Sequence, residues 1–318
     1  MPMPPASTPS LAPADTTALA QALVAIHADR FGPASTLPDT APPGPLTYQA
    51  AWRACRALGF IERDADCLAQ AWQRQAERTG QPETLAWPEQ PEDFGLGRSH
   101  DPSRAFADCP RDLGLYVVAP SADWIARLAD LGVPTLQLRF KSNDPQAIRQ
   151  EVRAALQAVR GRDCRLFIND HWQIALEEGA WGVHLGQEDL EGLDLSPLRQ
   201  AGLRLGVSTH GYAEMVVADQ VQPSYIAMGA VFPTTLKAMA TAPQGVARLR
   251  AYAQLLNRMP RPYPLVAIGG IDRERLPAVL GSGVGSVAVV RAVLGAPDPK
   301  AEIEAFQTAL KHRAPRPA

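Results

Sequence analysis

Lysine is scarce in this 318-residue chain: of 31 basic residues only Lys141, Lys237, Lys300 and Lys311 are lysines. Cysteine is scarcer still for a chain this long. Cys55, Cys67, Cys109 and Cys164 show no CxxC spacing, which argues against zinc and a disulfide framework and predicts a reducing compartment. No apolar run reaches the roughly 18 residues that a membrane-spanning helix needs. A net charge of −2 supplies no basic field for nucleic acid. The opening stretch, Met1 to Pro13, is rich in Pro, Ala and Ser and lacks the basic-then-apolar order of a signal peptide. These absences predict a soluble cytoplasmic protein with no nucleic-acid or membrane partner. Oligomeric state is left open, a homo-oligomer included.

What the chain does contain changes character near Leu113, with half of its 30 prolines before that point. From Leu115 onward, β-rich apolar runs alternate with amphipathic stretches. Strands are predicted at Leu115–Val118, Thr135–Phe140, Arg165–Asp170, Gly182–Leu185, Arg204–Ser208, Tyr225–Val231, Pro264–Ile268 and Ser286–Val290. Helices are predicted near 122–131, 145–160, 172–179, 194–201, 211–220, 243–258, 272–281 and 299–312. Strict alternation implies a parallel sheet with right-handed crossovers. Eight such units favour a closed (βα)8 TIM barrel over an open sheet. Before it, Thr16–Arg30, Tyr48–Leu58 and Asp64–Thr79 have helical spacing. The expected organisation is a helical, Pro-rich extension over 1–111 and a barrel over 112–318. His27 and His100, in the extension, are expected to be packing or surface residues rather than ligands.

Chemistry in such a barrel sits at the C-terminal ends of the strands. Asp170 follows one strand-like run and Asp189 follows the next, so adjacent parallel strands hold both at one end. Paired carboxylates there suit Mg2+, which takes a few protein oxygens and more from a substrate phosphate. A buried ion pair or a helix N-cap would explain either acid alone. Period two places Gln137, Arg139 and Lys141 on the interior face of the second strand, a poor core layer but a fitting anion site. A lysine kept where arginine is the habit marks a need for a compact ammonium, which applies to Lys141 and Lys237. Asn169 precedes Asp170. Ser208 either donates to a ligand or caps the helix after it. Thr234, Thr235 and Lys237 form a hydroxyl-and-ammonium loop after the sixth strand. The Gly269-Gly270 turn, beside Val290 and Arg291 at the end of strand eight, matches the usual phosphate position of the fold. No nucleophilic Ser or Cys has an evident base, and His184 and His210 read as a strand residue and a start-of-helix residue. Two anion sites and a metal imply displacement of a diphosphate.

In this order and register, QLRFK at 137–141, FINDH at 167–171, GVHLGQED at 182–189, GVSTH at 206–210, Phe232-Pro233-Thr234 with Lys237, AIGGI at 267–271 and VAVVRAV at 287–293 resemble thiamine phosphate synthase. The resemblance spans about 112–314. It implies a transferase that joins aminohydroxymethylpyrimidine diphosphate to thiazole phosphate, plain or carboxylated, and releases diphosphate. By the same resemblance, Arg139, Lys141, Asn169 and Lys237 would hold the diphosphate, and Asp170 and Asp189 would hold Mg2+. Gln137 and Ser208 would sit near the pyrimidine, with Ser208, Lys141 and Lys237 closest to the chemistry. Thr234 would meet the thiazole phosphate or the diphosphate, and Gly270 and Val290 would offer amides to the thiazole phosphate. Two departures stand out. Leu236 replaces a usual threonine, with Thr235 expected to compensate in part. Arg291 stands where some members carry a small hydroxyl residue, and phosphate contact is expected of it. A thiazole tautomer isomerase and a non-catalytic precursor-binding protein are the competing expectations.

Overall fold

The computed structural model describes residues 15–81, 85–97, 101, 103–234 and 242–313, which fall into two compact units, Met1–Phe94 and Gly95–Ala318. The first unit holds α1 (Thr16–Phe31), α2 (Leu46–Ala57), α3 (Glu62–Thr79) and the short α4 (Pro91–Phe94). Asp15 caps α1 by accepting from the Thr17 amide, and α3 stops at Gly80, whose φ of 68° suits a residue without Cβ. α2 packs against both α1 and α3. Ala50, Ala51, Ala54, Ala65, Ala69 and Ala71 are fully buried, and such small side chains allow close helix approach. The larger core residues are aromatic: Trp87 meets His27, Phe31, Phe60 and Trp72 at centroid distances of 5.1, 4.5, 5.6 and 5.2 Å. His27 is buried among these rings, as a packing residue; His100 lies outside the described residues.

The second unit runs β1 (Leu115–Ala119), α5 (Ala122–Asp130), β2 (Thr135–Leu138), α6 (Pro145–Val159), β3 (Arg165–Asn169), α7 (Trp172–Glu177), β4 (Gly182–Leu185), α8 (Gln187–Leu190), α9 (Ser196–Gln200), β5 (Arg204–Thr209), α10 (Tyr212–Val221), β6 (Tyr225–Met228), α11 (Gly245–Asn257), β7 (Leu265–Ile268), α12 (Leu276–Leu280), β8 (Ser286–Val289), α13 (Arg291–Leu294) and α14 (Pro299–Lys311). The eight strands close into a parallel barrel in sequence order, β8 pairing back to β1. Helix starts carry the chemistry their positions demand. Ser121, Asp144 and Asp298 cap α5, α6 and α14, and Pro145 and Pro299 open the latter two.

Strand length corrects one expectation. β2 ends at Leu138, short of Phe140, because its partner β1 ends at Ala119, opposite Leu138, where Pro120 follows with no amide to continue a ladder. Only Gln137 of the expected interior trio lies on the strand; Arg139 and Lys141 belong to the loop beyond it. The sixth strand likewise stops at Met228, and α4, α8 and α13 are additional single turns too short for a periodic signal.

Two glycines shape the barrel interior. A Cβ on Gly182 would fall 2.7 Å from the Phe167 ring, and one on Gly206 only 2.1 Å from the Tyr225 ring. Each glycine is the register partner of the aromatic residue it accommodates, on the neighbouring strand. The rings therefore lie across the glycines and fill the centre with Leu113, Tyr116, Val118, Ala227, Val266 and Ala288.

Candidate active site

Above that core, six side chains from six strands form one hydrogen-bonded chain. Gln137 on β2 donates from Nε2 to Asn169 Oδ1 on β3 at 2.6 Å. Its Oε1 accepts from Tyr116 on β1 at 2.8 Å. The Tyr116 and Tyr225 hydroxyls are 2.8 Å apart. Tyr225, on β6, reaches His184 Nδ1 on β4 at 2.7 Å, and His184 Nε2 meets Ser208 Oγ on β5 at 2.8 Å. The absent Cβ of Gly206 makes this crossing feasible, since Gly206 lies in register between His184 and Tyr225. Burial holds both tyrosine hydroxyls well above their usual range, so they remain protonated donors. Gln187, at the start of α8, donates to the Ser208 carbonyl at 2.7 Å and ties the end of β5 to α8.

The chain unites three expected site residues, Gln137, Asn169 and Ser208, and adds three that sequence reasoning did not select as site residues. His184 is the strand residue expected, buried beneath Ser208. Tyr116 and Tyr225 were detectable only as polar-tipped aromatics in otherwise apolar strands.

The carboxylates stand at the same strand ends. Asp170 directly follows β3 with φ of 62°, a left-handed conformation that Asp tolerates better than most residues. Its amide donates to the His184 carbonyl, and the Trp172 amide donates to its own carbonyl, fixing a tight exit from the strand. Asp189 lies in the first turn of α8, where its Oδ2 accepts from the Gly186 amide at 2.8 Å. The N-cap alternative is therefore realised for one of its oxygens. Both acids are exposed. Among the described residues no cluster of three or more His, Cys, Asp or Glu is grouped for a metal. Two exposed carboxylates nevertheless fit a hard cation that retains water and takes phosphate oxygens.

The cations are distributed around this end. Arg139 is half-buried, with its amide donating to the Ala119 carbonyl, and Lys141 is exposed. His171 links the neighbouring loops through Nε2, 3.0 Å from the Phe140 carbonyl. Thr234 is half-buried, whereas Thr235, Leu236 and Lys237 lie outside the described residues. Gly269 and Gly270 have φ of 104° and 64° and press against the loop after β6, where a Cβ on Gly270 would fall 2.7 Å from the Pro233 carbonyl oxygen. Arg275 donates to the Gly270 carbonyl at 2.8 Å and lies over the Phe232 ring. Val290 is half-buried at the N-cap of α13, and Arg291, its first residue, is exposed. His210 contacts Glu214 at 2.7 Å, as a start-of-helix residue. Burial pushes the Cys67 and Cys109 thiols up to about 12, so neither offers a thiolate at neutral pH.

A closed (βα)8 barrel with polar side chains and a Gly-Gly turn gathered at its strand ends defines an enzyme of the barrel class. Residues 115–293 match the model of the family described as thiamine monophosphate synthase. The thiamine-phosphate synthase of Cronobacter sakazakii is 53% identical over 193 residues, covering 61% of this chain and 90% of that protein. That of Neisseria meningitidis serogroup A is 50% identical over 195 residues, covering 61% and 93%. Among solved structures, thiamine phosphate pyrophosphorylase from Pyrococcus furiosus superposes with a TM-score of 0.55 at 27% identity, covering 64% of this chain and 99% of that one. The chain belongs to the thiamine monophosphate synthase family and is a transferase of thiamine biosynthesis. Its first 114 residues lie outside the match. Among the described residues, no helix is long and apolar enough to cross a membrane.

Proposed function

We propose that this transferase joins aminohydroxymethylpyrimidine diphosphate to thiazole phosphate, giving thiamine monophosphate and free diphosphate. The bond between the pyrimidine methylene carbon and the diphosphate oxygen breaks, and its electron pair leaves with the diphosphate. The aminopyrimidine stabilises the cation left at the methylene, and the thiazole nitrogen supplies the electron pair of the new C–N bond. No protein nucleophile is required, in keeping with buried, protonated thiols. Catalysis then rests on charge placed at the leaving group.

Arg139, Lys141 and Asn169 would hold the diphosphate, with Lys237 from the loop after β6. Asp170 and Asp189 would hold Mg2+, which when bound neutralises charge on the diphosphate oxygens. Gln137 and Ser208 would orient the pyrimidine. Thr234, Thr235, the Gly270 and Val290 amides and Arg291 would receive the thiazole phosphate or the far end of the diphosphate. The small-molecule substrates are the partners, and the cysteine usage supports a cytoplasmic location.

The observation that carries this assignment is the chain joining Gln137, Asn169 and Ser208 beside the two exposed carboxylates. Incubating the full-length protein with both substrates and Mg2+ tests it. Thiamine monophosphate and diphosphate should appear in equal amounts. Interconversion of thiazole tautomers alone would make it an isomerase, and binding without turnover would make it a precursor-binding protein.

A further inference from the structure

We infer that the six-residue chain is a positioning relay of fixed polarity, in which Tyr116, Tyr225 and His184 act through their neighbours to make Ser208 an acceptor toward the substrate and Asn169 a donor. The argument is proton counting. Gln137 Oε1 can only accept, so Tyr116 spends its one hydroxyl proton there. The Tyr116 oxygen must then accept from Tyr225 across their 2.8 Å contact. Tyr225 has no proton left for His184, so the imidazole must carry its proton on Nδ1. A neutral ring with Nδ1–H has a bare Nε2, which accepts the Ser208 hydroxyl proton.

Both ends of the chain are thereby set. The Ser208 proton points down into the barrel and leaves its lone pairs for an N–H of a ligand. At the other end, Asn169 receives the Gln137 amide proton on Oδ1, so its own NH2 is presented as the donor. An acceptor on β5 and a donor on β3 suit a ligand with an amino group on one side and an anion on the other. This deepens the proposed function and rests on it, since the aminopyrimidine diphosphate has both. Tyr116 and Tyr225, essentially without exposed surface, fix the polarity without meeting solvent.

The test reads the His184 tautomer in the free full-length protein by long-range proton–nitrogen correlation on 15N-histidine-labelled material at neutral pH. The His184 ring is identified by its response to Ser208→Ala. The expected result is the neutral Nδ1–H tautomer. An Nε2–H tautomer or a charged imidazolium would overturn the inference, because either gives Ser208 a donor to accept from. In Tyr225→Phe the ring packing remains but the relay is cut. The tautomers should then mix, and kcat/KM for the pyrimidine substrate should fall about tenfold, the equivalent of one lost hydrogen bond. The KM for thiazole phosphate should stay within about twofold, since a single-site loss leaves a distant contact untouched. Mixed tautomers with unchanged kcat/KM would overturn the positioning role. Wild-type protein with the Nδ1–H tautomer but no synthase turnover would sink the proposed function and leave the polarity standing.

Discussion

In the helical unit, buried polar side chains such as His27, Gln75 and Asp93 end on one neighbouring group, whereas in the barrel six of them run on from strand to strand. His27 Nε2 lies 2.9 Å from the Leu85 carbonyl, Gln75 donates to the Ala86 carbonyl, and Asp93 receives two bonds from Arg78. Each group is satisfied where it stands, which is what stability alone requires. The barrel chain also satisfies its members, yet Asn169 and Ser208 close it at the strand ends with bonding capacity still to offer. Local closure serves packing; an open-ended chain serves a ligand.

The largest effect should come from the helical unit. Trp72 is buried and meets both His27 and Trp87. Trp72→Ala should destabilise that unit by about 3–5 kcal/mol, the usual cost of deleting a large core aromatic. Chemical unfolding of the full chain would show an early transition, while synthase turnover in buffer should persist. Turnover that collapses in step would erase the distinction between a packing unit and a catalytic one.

Next in size is the loss of a charge at the barrel mouth. Asp170→Asn keeps a residue that tolerates the left-handed conformation but removes the carboxylate. Turnover should drop about 100- to 1000-fold, the scale of removing one group that stabilises developing charge. The melting temperature should hold, because the side chain is exposed. Full Mg2+-dependent activity in this variant would remove Asp170 from the metal site.

Gly206→Ala comes third, and it breaks the device that lets the polar chain cross the barrel. Its Cβ would overlap the Tyr225 ring, an overpacking that typically costs about 1–3 kcal/mol. Adding Tyr225→Leu should recover the stability by emptying that space, yet turnover should stay low because the relay is gone. Recovery of both would show that Tyr225 matters only as filler.

The barrel was legible in the sequence because alternation of strand and helix is a local, repeated signal. Where strands end was less so: β2 stops where Pro120 ends its neighbour, a fact about another segment. The same limit explains the site. Gln137, Asn169, Ser208, Asp170 and Asp189 were visible as polar residues closing apolar runs. Tyr116 and Tyr225 were not, since an aromatic in a strand looks like core until the partner of its hydroxyl is known. Gly206 gave no signal at all, because its role is to be small opposite a ring on the next strand. The three main helices of the extension were legible by spacing, whereas its aromatic cluster depends on Trp87, which lies in a loop.

The smallest effect sharpens the contrast through pH. Burial, with a smaller contribution from Arg30, pushes His27 below its ordinary 6.5, although its bond to the Leu85 carbonyl works the other way. The unfolded chain therefore takes up this proton before the folded one does. His27 contributes its stability in full above about pH 6.5, and that contribution is lost as pH falls through the depressed folded value. The helical unit should melt earlier on acidification, by less than about 4 °C for a unit of this size. In His27→Gln the amide can still donate to Leu85 but cannot titrate, so this part of the acid sensitivity should vanish. An equally steep pH dependence in the variant would mean that other groups, not the buried imidazole, set the acid response of this unit.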